Sequence, residues 1–271
     1  MARPRVGELV REWRTRRHRS QMDLALEVGV SPRHLSFVET GRSRPSPELV
    51  LAIATHLEVP LRERNTLLLA AGYAPRYSQS SFDDPSMVHA RASMQRMLDA
   101  HDPYPGVVVD RSWNVVLANN AAALLTSGLP DDLLEIPLNV YRVSLHPEGL
   151  AARSSNVAEW APPLLRQLRR SVVLTGDPEL EALLVEVESY PTVAALLDGF
   201  EAIEWDDPPL LIPMRLTVGD NELSLFTTIT TFGTPRDVTL DELALELFFP
   251  ADDDTERMLR GERELVGTAQ P

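Results

Sequence analysis

Eight residues near the start of the chain have the side chains that duplex DNA contacts require: Gln21, Ser31, Arg33, His34, Ser36, Phe37, Arg42 and Arg44. An arginine can make a bidentate contact to guanine. His and Ser offer smaller donors and acceptors, and Phe can touch a thymine methyl. Their spacing places them on a defined scaffold. Residues 20–41 read SQMDLALEVGVSPRHLSFVETG. Ser20 is a cap-type residue before a short amphipathic stretch, Gly29 marks a tight turn, and Ser31-Pro32 opens a second short helix that ends at Gly41. Two short helices joined by a Gly-containing turn form the helix-turn-helix pattern, whose second helix enters the major groove.

Each residue's chemistry then follows from its place. Gln21 stands at a helix N-terminus, where free N–H groups and the dipole favour a phosphate. Ser31 is the N-cap of the second helix. Arg33 and His34 occupy its first turn, the part that reaches base edges. Leu35 and Val38 face inward, which leaves Arg33, His34, Ser36 and Phe37 toward solvent or DNA. Arg42 and Arg44 follow in the loop and suit phosphate neutralisation.

The elements around this pair are helical. Val6, Leu9, Val10 and Trp13 have amphipathic helix spacing. Ser46-Pro47-Glu48 starts a fourth helix with Val50, Ile53, Ala54 and Leu57 as its apolar stripe, and a fifth runs from Leu61 to Ala71. Residues 1–77 therefore read as a compact all-α domain.

Charge divides the chain at the same place. The whole chain has a net charge of −14 and contains no cysteine. Residues 1–77 hold 13 Arg against 8 Asp and Glu, whereas residues 78–271 hold 13 Arg against 32. The first segment is basic and the second should repel phosphate. Lys is absent, which excludes a Walker phosphate loop or a Schiff base. Without cysteine there is no disulfide or thiolate metal site, and a reducing, cytoplasmic setting is compatible. The first residues lack a signal peptide's apolar run, and the longest uncharged stretch, Ser112 to Pro130, makes a poor membrane span.

Residues 78–101 read as a linker, SQSSFDDP, followed by a helix from Met87 to Ala100. That helix suits a connecting role, a dimer seam or packing on its own domain. From His101 the pattern is mixed. Strand candidates are Val107 to Asp110 and Trp113 to Ala118. Asn119-Asn120 then caps a short helix to Thr126, or binds a ligand. Ser155 to Val173 and Asp177 to Ser189 look helical. Leu210 to Thr217 and Glu222 to Thr231 read as a hairpin across Gly219-Asp220-Asn221. Leu240 to Phe249 is apolar, with its strand or helix state open, and Asp252 to Arg260 reads as a terminal helix. Residues 102–262 thus form an α+β domain, with 263–271 as a flexible tail.

No catalytic pattern appears. His18, His34, His56, His89, His101 and His146 fall far apart, and there is no GxSxG, GxGxxG or HExxH motif. Asp252 to Asp254 suits a helix cap better than a cation site. No metal and no cofactor are expected, and the chain does not read as an enzyme.

Residues 5–77 resemble the Xre-type helix-turn-helix domain of phage-repressor-like regulators, and the stretch SPRHLSFVETGRSRPSPELVLAIATHLEVPLRERNTLLLAAGYAP, residues 31–75, resembles one subgroup of them closely. NVYRVSLHPEGL (139–150), NVAEW (156–160) and LFFPADDDTE (247–256) resemble the MmyB-like ligand-binding domain that follows it in one subgroup. That resemblance implies a PAS-like fold in the second domain and a small apolar ligand, with a long-chain fatty acid one candidate. It also implies a transcription regulator that binds operator DNA; a homodimer is expected on separate grounds, because one short recognition helix offers too little contact for operator affinity. Trp113, Leu117, Val143, Trp160, Leu164 and Phe226 could line the pocket, and equally could form plain core. Arg142 lies in an apolar run, so its charge needs a partner, either a ligand carboxylate or a nearby Glu. A second reading has the C-terminal domain as a dimerisation or partner-interaction module without ligand.

Overall fold

The computed structural model describes residues 5–198, 210–219 and 221–261. The tail at 263–271 and Asp220 of the hairpin turn lie outside the described residues. The chain divides into two compact units. The first is Met1–Asp84 with Val173–Thr175 and Gly233–Asp241. The second is Pro85–Val172 with Gly176–Phe232 and Glu242–Pro271.

The first unit contains α1 (Val6–Arg16), α2 (Gln21–Glu27), α3 (Pro32–Glu39), α4 (Pro47–His56) and α5 (Leu61–Ala70). The capping residues read from the sequence do their work. Ser20, Ser31 and Ser46 accept the backbone N–H groups of Asp23, His34 and Leu49 at 3.1, 3.1 and 3.2 Å. Leu24, Ala25, Leu35, Val50, Ile53, Ala54 and Leu57 form the core with Val10 and Trp13. Gly7 is required where α1 meets α3: a Cβ there would lie 2.3 Å from the Val38 carbonyl oxygen. Gly41 ends α3 with φ +73°, a left-handed conformation that costs glycine little.

The second unit begins with α6 (Val88–His101), β1 (Gly106–Val109) and β2 (Val115–Ala118). There follow α7 (Ala123–Thr126), α8 (Val140–Leu145), α9 (Val157–Thr175), α10 (Pro178–Glu188) and α11 (Pro191–Asp198). Then come β3 (Met214–Val218), β4 (Asn221–Thr231), α12 (Val238–Asp241), β5 (Ala244–Pro250) and α13 (Asp253–Leu259). The last three residues of α9 and all of α12 count with the first unit. The five strands form one antiparallel sheet in the order β2-β1-β5-β4-β3.

Trp113 does not open a strand. It sits in the β1–β2 turn at φ +65°, with its ring edge-on to Tyr141 at 5.1 Å. The apolar run that carries Arg142 is helical, as α8. Asn139 caps it, accepting from the N–H groups of Tyr141 and Arg142 at 3.1 and 3.3 Å. Leu240 to Phe249 runs from the end of α12 through all but the last residue of β5, so most of it is strand.

Antiparallel pairing sorts side chains by sheet face, since directly paired residues share a face and neighbours alternate. Val107 pairs with Ala118 and Glu246, and Phe248 with Thr227, which fixes one face. Val108 pairs with Leu117 and Leu245, and Phe249 with Phe226, on the other.

Candidate nucleic-acid interface and ligand pocket

On α3, Leu35 and Val38 are buried while Arg33 is exposed and His34, Ser36 and Phe37 are half-buried. The helix thus presents the face expected of a groove-entering element. Phe37 organises it. The Arg33 guanidinium lies over its ring at 5.3 Å and that of Arg42 at 5.9 Å. Cation–π contacts of this kind hold long side chains without neutralising them. Among the described residues neither arginine forms an ion pair.

Two of the predicted DNA contacts are committed elsewhere. Arg44 donates from Nε to the Ala71 carbonyl at 2.8 Å and from Nη2 to that of Gly72 at 3.1 Å, with its guanidinium over the Tyr73 ring at 4.6 Å. It closes the C-terminus of α5 rather than standing ready for a phosphate. Gln21 stands at the head of α2 as expected, but its Nε2 donates to Glu39 at 2.6 Å. Glu39 also receives Arg14, from Nε at 2.7 Å and Nη2 at 3.1 Å. This network ties α1, α2 and α3 together. Sequence reading missed it, although a Glu at the inward position after Leu35 and Val38 was a signal that a cation faced it. The Ser31 hydroxyl works as the cap of α3.

In the second unit two hollows lie against the face that carries Glu246 and Phe248. The larger encloses about 510 Å³ and is lined by β1 and β2 residues, Leu125, Ile136, Leu138, Val140, Val143 and Phe248. The smaller, about 190 Å³, is lined by Trp160, Pro163, Leu164, Met214, Leu225, Phe226, Glu246 and Phe248 among others. Both share Val140, Ser144 and Phe248 as a common wall. The larger volume falls within the range of small-molecule sites, and its lining is overwhelmingly apolar. A wider hollow of about 770 Å³ beside Asp102, Asn120 and Met258 is more open to solvent.

Four of the predicted pocket residues border these hollows: Val143 the larger, and Trp160, Leu164 and Phe226 the smaller, although the Phe226 ring stacks on Phe249 at 5.5 Å on the opposite face of the sheet. Three do not. Leu117 points to the opposite face of the sheet, because it pairs with Val108. Trp113 packs at the β1–β2 turn. Arg142 has found the alternative partner. Its Nε and Nη2 donate to the two carboxylate oxygens of Glu186 on α10, each at 2.7 Å. Tyr190 donates to the same carboxylate at 2.8 Å. The Arg142 hydrogen bonds hold Glu186 below the usual carboxylate range, against the opposing effect of burial. No ligand carboxylate is needed to satisfy Arg142.

The residue that sequence reading missed is Glu246. It lies in β5, the middle strand of the sheet, at 6% exposure. Burial pushes its carboxyl up to about 7. The signal was present in LALELFF, a lone charge in an apolar run, which is the same signal that singled out Arg142. Asn119 and Asn139 act as helix caps, which settles the Asn pair as structural at its first member.

No helix among the described residues is long and apolar enough to cross a membrane, and no metal-ligating cluster occurs among them. No curated protein matches the chain. Two family models do. One describes a helix-turn-helix domain and matches residues 10–64. The other describes the MmyB-like transcription regulator ligand binding domain and matches residues 90–261. Both families are binding domains in kind. The expectations of an all-α helix-turn-helix domain and an α+β second domain hold, and the chain belongs to the MmyB-like transcription regulators, as a ligand-responsive DNA-binding protein.

Proposed function

We propose that this regulator reads operator DNA through α3 as a homodimer and senses a small apolar ligand, of the size and character of a fatty acyl chain, in the cleft between α8 and the sheet. The observation that carries the ligand reading is the apolar hollow of about 510 Å³ lying over the sheet. A domain built only for partner interaction needs no such space. The strand order β2-β1-β5-β4-β3 supports a PAS-like sensor. An acyl chain would gain about 0.8 kcal/mol per buried CH₂, enough for a long chain to stay bound through purification. Organic extraction of the purified, denatured protein followed by mass spectrometry tests this. One apolar species near stoichiometric amount is expected. An extract without one would leave the interaction module as the better reading.

The geometry of groove recognition supports the dimer. One short recognition helix offers too little contact for operator affinity, whereas two related by a two-fold axis would read half-sites about 34 Å apart. Acting on DNA, the protein would work in the cytoplasm. Continuity of the chain supports a regulatory link: α12, which belongs to the first unit, lies between β4 and β5 in sequence.

The DNA contacts divide by role. Arg33→Ala should cost roughly 1–3 kcal/mol on the cognate site and relax its sequence preference. Arg42→Ala should weaken every sequence alike and lower the salt slope by about one unit. Binding isotherms on selected and random duplexes, across a salt series, separate the two. Equal losses on both duplexes from both variants would reject the division. Arg44→Ala, by contrast, should act through the stability of α5.

A further inference from the structure

The smaller hollow holds one acidic group and no cation. Glu246 lines it with Trp160, Leu164, Gln167 and Phe248. Its Oε2 is buried and has no hydrogen-bond partner among the described residues. Among the described residues no other buried side-chain oxygen or nitrogen lacks a partner. Asn119 accepts from two N–H groups and donates to two carbonyls, and Asn156 donates to Glu159 and to the Pro213 carbonyl. A buried acceptor left unpaired is costly, so this one, on a residue that lines a cavity, calls for a donor from outside.

The groups that face Glu246 define what can enter. Tyr141 on α8 is the titratable neighbour, and burial first, then the Glu246 charge, raises its phenol further from ionisation. α8 adds Ser144, α9 adds Gln167 and β4 adds Thr227, all neutral. Among the described residues lining either hollow there is no Arg or His. Arg142, which lies between the lining residues Val140 and Ser144 on α8, is held by Glu186.

We propose that Glu246 is the headgroup acceptor of the ligand site, and that the ligand is an apolar molecule whose polar end donates a hydrogen bond, as a hydroxyl or ammonium does and a carboxylate cannot. This rests on the sensor reading above and specifies its ligand. A hydroxyl completes the bonding of Oε2 without adding charge. An ammonium pairs with the ionised carboxylate. A carboxylate ion would bring a second negative charge into a site with no cation to offset it. An acyl chain ending in a carboxyl group enters well only with its proton on, when it too is a donor.

The test uses the full chain and three probes with the same tail: 1-octanol, n-octylamine and octanoate, titrated by tryptophan fluorescence with Trp160 as the reporter. At about pH 8 octanol and octylamine should bind at least about tenfold tighter than octanoate. At about pH 5, as octanoate and Glu246 take up protons, the gap between octanoate and octanol should close to within about threefold. Glu246→Gln should remove the preference for octylamine and bring octanoate within about threefold of octanol at either pH. Octanoate binding as tightly as octanol at the higher pH would overturn the assignment, and this arm needs no variant. Failure of all three probes to bind the wild-type protein would overturn the sensor reading itself, and the headgroup assignment with it.

Discussion

Replacing Glu39 by alanine is expected to cost the helix-turn-helix unit about 3 kcal/mol, the largest loss of any single change considered. The carboxylate is 2% exposed and Arg14 only 14%. Three N–H groups from two other helices converge on it, at 2.6, 2.7 and 3.1 Å. Truncation leaves the Arg14 guanidinium and the Gln21 amide without their acceptor inside the α1–α3 junction. Breaking one member of a buried pair is far more damaging than replacing both by apolar groups. The double change Arg14→Met with Glu39→Leu should therefore recover most of the loss. Hydrogen exchange of the α1–α3 amides gives the local stability directly. A loss under about 1 kcal/mol for Glu39→Ala would show the network to be worth no more than a surface pair.

The second unit should lose roughly 3 kcal/mol of stability as pH rises from about 4.5 to about 7, through Glu246 alone. The sign follows from proton affinity. Burial raises the folded-state carboxyl to about 7, from the ordinary value of 4.5. The fold therefore holds the proton more tightly than the unfolded chain does. Its stabilising contribution is full below the unfolded value and is lost as pH climbs through the folded one. Subtracting the Glu246→Gln curve from the wild-type curve, in urea unfolding at a series of pH values, isolates this group from the other carboxylates. A difference that stays flat across that window would mean that Glu246 is solvated or paired in solution.

The same contrast explains what could be read from the chain before its fold was known. The five N-terminal helices were legible because Ser20, Ser31 and Ser46 are caps whose chemistry is local, and because apolar residues repeat at helical spacing within single helices, as Val6, Leu9, Val10 and Trp13 do in α1 and Val50, Ile53, Ala54 and Leu57 do along α4. The roles of Gln21 and Arg44 were not. Both are set by partners 18 and 27 residues away or more, at Glu39 and Ala71, which no local pattern encodes. In the second unit the β3–β4 hairpin was legible from its turn residues. α8 and α11 were not singled out, being 6 and 8 residues long and too short to show a period. LALELFF fits a buried helix or a buried strand equally, and only pairing with β1 and β4 decides it. A charge in an apolar run was the right clue to the pocket. It was read at Arg142, where Glu186 answers it, and not at Glu246, where no described side chain does.

The most direct test of ligand-responsive DNA binding is the affinity of the full chain for a duplex selected from random sequence by the protein itself. It should be measured at fixed salt, with the cleft emptied and then refilled with the molecule recovered by organic extraction. A ligand regulates only through its different affinity for the DNA-competent and DNA-incompetent states. Filling the cleft should change the dissociation constant by at least about fivefold, in the range typical of coupled sites. Equal affinity for DNA in the emptied and refilled protein, with occupancy of the cleft verified, would contradict the proposed sensing role.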